Sequence, residues 1–274
     1  MSDLNLRADL EREAAIEATH FDRVYKKSGE VARRRNYIVP EEHINKALRQ
    51  SKFKIDEYEY AYSLLGDMRN KKLLDYGAGD GWHAVCFAKA DAKVWAIDIS
   101  QESVGLIEAT ARANGVGNLI IAEVRNAYAT GFDDNMFDLI YGGGILHHMD
   151  IEVAANEIRR ILKPEGTAVF FEPIRQTGIM DFVKKIVLRV LKRDKAEETE
   201  NETPLTIERL NLLKSSFGEM NFRFYNVLGS ANKLIKSAGI RKTLLWADYI
   251  FMRIIPGYSK LARLVIIELR APIK

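Results

Sequence analysis

The stretch LLDYGAGDGWH, from Leu73 to His83, constrains this chain more than any other part of it. A short apolar run, an acid and three glycines at alternate positions read as a strand turning tightly into a helix. Such a turn needs backbone angles that a Cβ resists, and it lets a ligand come close to the main chain. The helix that follows offers N–H groups without intrahelical partners and a positive dipole end. Seventeen residues beyond Gly81, the run VWAIDIS brings a second strand to its end at Asp98. An acid there lies where a ribose diol would sit and accepts hydrogen bonds from both hydroxyls.

The glycine spacing narrows the ligand. A dinucleotide fingerprint is GxGxxG, whose third glycine keeps the helix close to a pyrophosphate. Here the glycines are Gly77, Gly79 and Gly81, and Trp82 stands where that fingerprint needs its third glycine. This weighs against a nicotinamide oxidoreductase. Asp75, just before the first glycine, suits a ligand with a free amino group, such as the methionine end of S-adenosylmethionine.

At Asp75, GxGxG and Asp98 the sequence resembles the class I S-adenosylmethionine-dependent methyltransferases. ATGFDDNMFDLIYGGGILHHM resembles the family's segment around its fourth strand. EIRRILKPEGTAVFFEP resembles the next helix, a turn at Lys163–Gly166 and the fifth strand. The likeness covers residues 70 to 175 well and is looser on both sides. It implies S-adenosylmethionine as cofactor, with Asp75, Gly77, Ala78, Gly79 and Gly81 at its amino-acid end and around the turn. Asp98 and Ile99 fall to the ribose, Asn126 and Ala127 to the adenine, and Gly143 to the end of the fourth strand. The family often carries an acid where this chain has Asn126, whose side chain can still accept from the adenine amino group and whose amide can donate.

His147 and His148 lie just past the fourth strand, near where a methyl group would be presented, and histidine suits base work at neutral pH. Either of them, or neither, faces the substrate; a helix cap and a packing role are the plain alternatives. Glu172 is a further catalytic candidate, or else caps the loop before Pro173. Enzymes that methylate the amino groups of nucleic-acid bases usually carry Asn or Asp, Pro-Pro and an aromatic after this strand. The chain has Tyr141, Gly142, Gly143, Gly144 and Ile145 there, so the expected partner is a small-molecule oxygen or carbon acceptor and not a nucleic acid. The five histidines have neither thiolate partners nor metal-ligand spacing, so no metal is expected.

The expected fold is α/β: a doubly wound, Rossmann-like, seven-stranded, mostly parallel sheet. Five strands are expected at Lys72–Tyr76, Lys93–Asp98, Leu119–Val124, Phe137–Gly142 and Gly166–Phe171. MNFRFYNVL and LARLVIIELRAP supply two more. Residues 1–70 read as an amphipathic helical region, broken near Pro40 or Ser51, and the resemblance implies that it lies over the site as a lid. Its tyrosines serve either as lid or to dock the helices, and Tyr37, beside Arg33, Arg34 and Arg35, is the lid candidate. Residues 71–274 form the Rossmann-like domain, with helical additions at 176–200 and 231–258.

These additions carry Phe182, Val183 and Ile186 among lysines and arginines, and Trp246, Tyr249 and Phe251. They suit a lipophilic acceptor pocket, a peripheral contact with an anionic membrane, or ordinary packing. Composition sets the remaining bounds. With 47% hydrophobic residues the chain can build a real core, and a net charge of +3 is too mild to argue for nucleic acid. The single cysteine, Cys86, rules out a disulfide framework. A charged start and the lack of a long apolar run make a cytoplasmic setting the expectation, with membrane-peripheral placement as its variant. A methylation-coupled cyclisation and a non-catalytic cofactor-binding module remain open. Oligomeric state is not legible.

Overall fold

The computed structural model describes residues 3–34, 36–48, 55–175, 205–228 and 237–273. Three helices come first: α1 (Asp3–Arg34), α2 (Glu41–Leu48) and α3 (Glu57–Leu65). Pro40 precedes the first turn of α2, where its missing N–H costs nothing. Asp56 caps α3 by accepting the N–H groups of Tyr58 and Glu59.

From residue 72 the chain alternates. In order come β1 (Lys72–Tyr76), α4 (Trp82–Lys89), β2 (Lys93–Asp98), α5 (Gln101–Ala113), β3 (Ile120–Val124) and β4 (Phe137–Gly143). A 3-10 turn at Leu146–His148 leads into α6 (Ile151–Ile161) and β5 (Leu162–Pro173). Then follow α7 (Ile207–Leu213), β6 (Phe217–Tyr225), α8 (Ala238–Ile254) and β7 (Leu264–Pro272).

The seven strands form one sheet in the order β3-β2-β1-β4-β5-β7-β6. Strands β1 to β5 pair in parallel, while β7 runs antiparallel to both β5 and β6. Successive side chains point to opposite faces, so two cores grow on one sheet. Leu73, Leu139 and Val169 join Ala61, Phe87 and Ile107 of α3, α4 and α5. Leu74, Ile140 and Phe170 join Ala155, Ile158 and Leu210 of α6 and α7. This doubly wound arrangement is the expected one.

Two details differ from the sequence reading. Lys163–Gly166 does not separate helix from strand; it is an irregularity inside β5, where the register jumps from Phe137↔Leu162 to Leu139↔Thr167. The extra residues bulge out while the strand keeps its partner. β6 also begins earlier, at Phe217, because β7 is long enough to pair Pro272 with it. Of the additions, residues 176–200 lie outside the described residues. α8 occupies most of 231–258 and packs on β6 and the turn Tyr258–Leu261.

Candidate functional site

The strand order reverses between β1 and β4, and ligands bind at the carboxyl ends of strands at such a point. A cavity of about 610 Å³ opens there. Gly77, Asp98, Ile99, Asn126, Ala127 and Gly143 line its floor, and His147 and His148 line its side. Its roof is α1, which presents Glu17, Phe21 and Tyr25 at i, i+4 and i+8. Of the residues named from the sequence, these eight come together at the cavity; the others serve it from behind or stand apart.

Asp98 accepts the Gly79 N–H on Oδ2 and the Ser100 N–H on Oδ1, each at 3.0 Å. Burial raises its pKa, and these N–H bonds hold the rise back. Asn126 Oδ1 accepts the Tyr128 N–H at 2.9 Å, which folds the loop after β3 along the cavity wall.

Asp75 does not reach the cavity surface. It shares a face of the sheet with Leu73 and pairs in register with Tyr141, beneath the glycine turn. Both its oxygens and the Tyr141 hydroxyl are buried without a hydrogen bond of good geometry, and the Ala84 N–H offsets only a little of the carboxyl's desolvation. Burial pushes the Asp75 carboxyl well above its ordinary range, and Asp80 and Asp98 add to the rise. Asp80 is raised by burial too. Three desolvated carboxyls thus surround one glycine turn.

The glycines divide their tasks. A Cβ on Gly79 would stand 3.1 Å from the Tyr25 hydroxyl, so the lid rests directly on the turn. Gly81, expected at the ligand, instead starts α4 at φ +79°, where a Cβ would stand 3.0 Å from Ile107 Cα. It lets α4 meet α5. Ala78 is buried behind the turn, its N–H bonded to Ile97 O at 2.9 Å.

Tyr37 is not the lid residue. Its carbonyl accepts from Asn114 Nδ2 at 2.9 Å, past the far end of α5. α1 lies along α5, with Asp22 taking the Ser100 hydroxyl at 2.5 Å at one end. The chain reaches Tyr37 only after α5 has carried it away from the strand ends. Tyr25 lies over the turn instead. Its hydroxyl pKa is pushed upward by burial, then by Asp98, Asp80 and Asp75.

Glu172, named as catalytic, is wholly buried behind His147 and off the cavity. Its Oε1 accepts the N–H groups of Ile145 and Leu146 at 2.9 and 2.8 Å, and its Oε2 lies 2.8 Å from His147 Nδ1. A carboxylate only accepts, so Nδ1–H donates, and in the neutral imidazole the lone pair is then on Nε2 of His147. His148 packs edge-on against Phe21, with centroids 5.3 Å apart, and its Nδ1 faces Glu17 at 3.7 Å. Burial, His147 and His20 lower its pKa to about 3, so it is neutral at physiological pH.

Glu17, Phe21, Tyr25, Tyr128, Met149 and Arg209 line the cavity without having been picked out for it. The i, i+4, i+8 spacing of the first three was the available signal. Tyr128 donates nothing obvious in sequence; only the fold brings its hydroxyl to the Asp150 N–H at 2.7 Å.

Residues 74–170 match a family described as a methyltransferase domain. An uncharacterised methyltransferase of Bacillus subtilis is 31% identical over 96 residues, which cover 35% of this chain and 38% of that protein. The chain thus spans under half the length of this curated relative. Among solved structures, geranyl diphosphate C-methyltransferase from Streptomyces coelicolor is similar at 15% identity and a TM-score of 0.55, covering 78% of this chain and 77% of that one. The cyclase SpnF is similar at 19% identity and a TM-score of 0.54, covering 79% and 82%. At such identities these likenesses show the fold alone.

Proposed function

We propose that this chain, whose residues 74–170 match a methyltransferase-domain family, binds S-adenosylmethionine under α1 and methylates a small acceptor with an ionisable O–H or N–H. The observation that carries this reading is the meeting of Asp75, Asp80 and Asp98 at one glycine turn, each raised by burial. Desolvated carboxyls around a cradle without Cβ atoms fit a ligand that brings positive charge and a diol. Asp98 would hold the ribose, and the loop at Asn126 and Ala127 would flank the adenine. Asp75, buried beneath the turn, would favour the ammonium end there through its field and not by contact.

When bound, the cofactor supplies an electrophilic methyl group on a sulfonium. Displacement at that carbon needs nucleophile, carbon and leaving sulfur in line, so positioning is the protein's main task. Glu172 fixes the tautomer and direction of His147, and Nε2 of His147 takes the proton of the acceptor as its oxygen or nitrogen attacks. α1 excludes water from the cavity. His148, neutral, packs Phe21 in place.

The lipophilic acceptor expected from the sequence has less to rest on. α8 packs on β6 and not at the cavity, and 176–200 is outside the described residues. Beside His147 the lining mixes Phe21 and Met149 with Glu13 and Glu17. We therefore favour an acceptor with a polar head and a modest apolar body.

Calorimetric titration with S-adenosylmethionine and S-adenosylhomocysteine tests the cofactor, with Asp98→Ala alongside. Micromolar binding is expected, weakened at least tenfold by the substitution, since bonds to a carboxylate are worth about 1.5–3 kcal/mol. No binding of either ligand to the wild-type chain would falsify the reading. Products that turn over without gaining a methyl group would redirect it to cyclisation.

A further inference from the structure

α8 carries a surface that the cavity does not use. At about 100° per residue, Ile240, Thr243, Ala247, Ile250 and Ile254 fall in one stripe about 80° wide. Three of these are isoleucines exposed by 54%, 44% and 64%, and Ile255, 43% exposed, continues the stripe past the helix end. Large apolar side chains exposed in a row along one helix mark a contact surface more than chance does.

The charges around the stripe are of one sign. Lys242 and Arg253 follow it on one side, Arg253 with its guanidinium over Tyr249, and Arg241 is exposed in the first turn of the helix. From Ser237 to Arg263 the chain has five basic residues and one acid, Asp248. That acid is 5% exposed and points inward, accepting the Leu228 N–H at 2.9 Å and the Tyr258 hydroxyl at 2.6 Å. On the inner side, Tyr249 is covered by Arg223 and Arg253, so the helix is seated on the sheet by its aromatic and acidic side chains. Its isoleucines are left outward.

We infer that α8 docks this protein onto an anionic lipid surface, with the isoleucine stripe in the headgroup–acyl boundary. Arg241 and Lys242 would lie at the level of the lipid phosphates, their stems covering apolar area. Charge complementarity selects this occupant. A second copy of the chain would bring the same five basic residues against themselves. No helix among the described residues is long and apolar enough to cross a membrane, so the contact is peripheral. Neither the methyl-transfer reading nor the cavity enters this argument.

The test uses the full chain and sedimentation with phosphatidylcholine vesicles, with and without phosphatidylserine. Binding is expected only with phosphatidylserine and should fall as salt rises. Ile250→Glu/Ile254→Glu should lower partitioning at least tenfold, and Arg241→Ala/Lys242→Ala by roughly tenfold or more. These side chains are exposed, and an unchanged melting temperature confirms that each variant folds. Failure of the wild-type chain to sediment with phosphatidylserine vesicles overturns the inference. So does binding that the isoleucine variant leaves intact. If the wild-type chain is a dimer that Ile250→Glu/Ile254→Glu splits, the stripe is a face between copies and the lipid assignment is wrong.

Discussion

Glu172 and His147 stand 25 residues apart in sequence and 2.8 Å apart in space. Each is ordinary alone; together they make an imidazole with a fixed tautomer and a lone pair aimed away from its carboxylate. Buried and holding two backbone N–H groups, Glu172 can reach the cavity only through His147, and under the proposed function it is a positioning residue. Converting Glu172→Gln should therefore cut kcat ten- to a hundredfold while cofactor affinity stays within a factor of two. Loss of a positioned base costs typically 10²–10⁴-fold, so His147→Ala should cost more, and added imidazole should restore part of it. Steady-state kinetics with and without imidazole decide this; full turnover in His147→Ala removes the residue from the mechanism. At this scale, legibility in the sequence followed locality. Gly77, Gly79 and Asp98 could be named because a tight turn and a strand end impose their chemistry within a few residues. Glu172 could be named only as a lone acid, since its partner is set by the pairing of β5 beside β4.

α1 is the element least legible in advance. It is 32 residues long, and most of the residues whose burial is described are exposed or partly exposed, since it roofs a cavity and does not fill a core. Helical periodicity reports burial against packed neighbours, and here it only marks the face carrying Glu17, Phe21 and Tyr25. Nothing local says how far along α5 the helix lies, and that offset put Tyr25 over the turn and Tyr37 beyond Asn114. What fixes the offset is Asp22, which takes the Ser100 hydroxyl and, at 3.3 Å, the Glu102 N–H at the start of α5. A carboxylate is well placed against the positive end of a 13-residue helix. Asp22→Ala should loosen the roof without touching the floor. Bound cofactor should leave roughly ten times faster, in line with about 1.5 kcal/mol for a hydrogen bond to a charged group. Stopped-flow displacement reads this rate, and an unchanged rate means that α1 is held elsewhere.

Across the whole molecule, buried titratable groups pull stability in opposite directions with pH. His83 is held neutral by burial, its Nδ1 2.7 Å from the Tyr62 hydroxyl and its pKa lowered from 6.5 to about 4. His148 is lowered to about 3. Each binds a proton more readily in the unfolded chain, so their stability is full above pH 6.5 and is lost as pH falls through the folded values. A shift from 6.5 to about 4 corresponds to about 3 kcal/mol for His83 once the pH is below both values. Asp75 has the opposite sign. Its folded pKa is raised well above 3.8, so its contribution is full below that value and is lost as pH rises through the raised one. Urea unfolding of wild type and His83→Asn between pH 4.5 and 8 should show their stability difference changing below 6.5, on the acid limb that the histidines lower. His83→Asn keeps a partner for Tyr62 and removes the titration, so it should flatten that limb by up to about 1.4 kcal/mol per pH unit. Asp75→Asn should raise stability at pH 8 and weaken cofactor binding. That pair of effects follows if a desolvated carboxyl is kept under the glycine turn to meet a positive ligand, because what destabilises the empty fold is what the ligand neutralises. An Asp75→Asn chain no more stable than wild type at pH 8 would mean that the fold does not raise the Asp75 carboxyl, and that its burial costs the empty protein nothing.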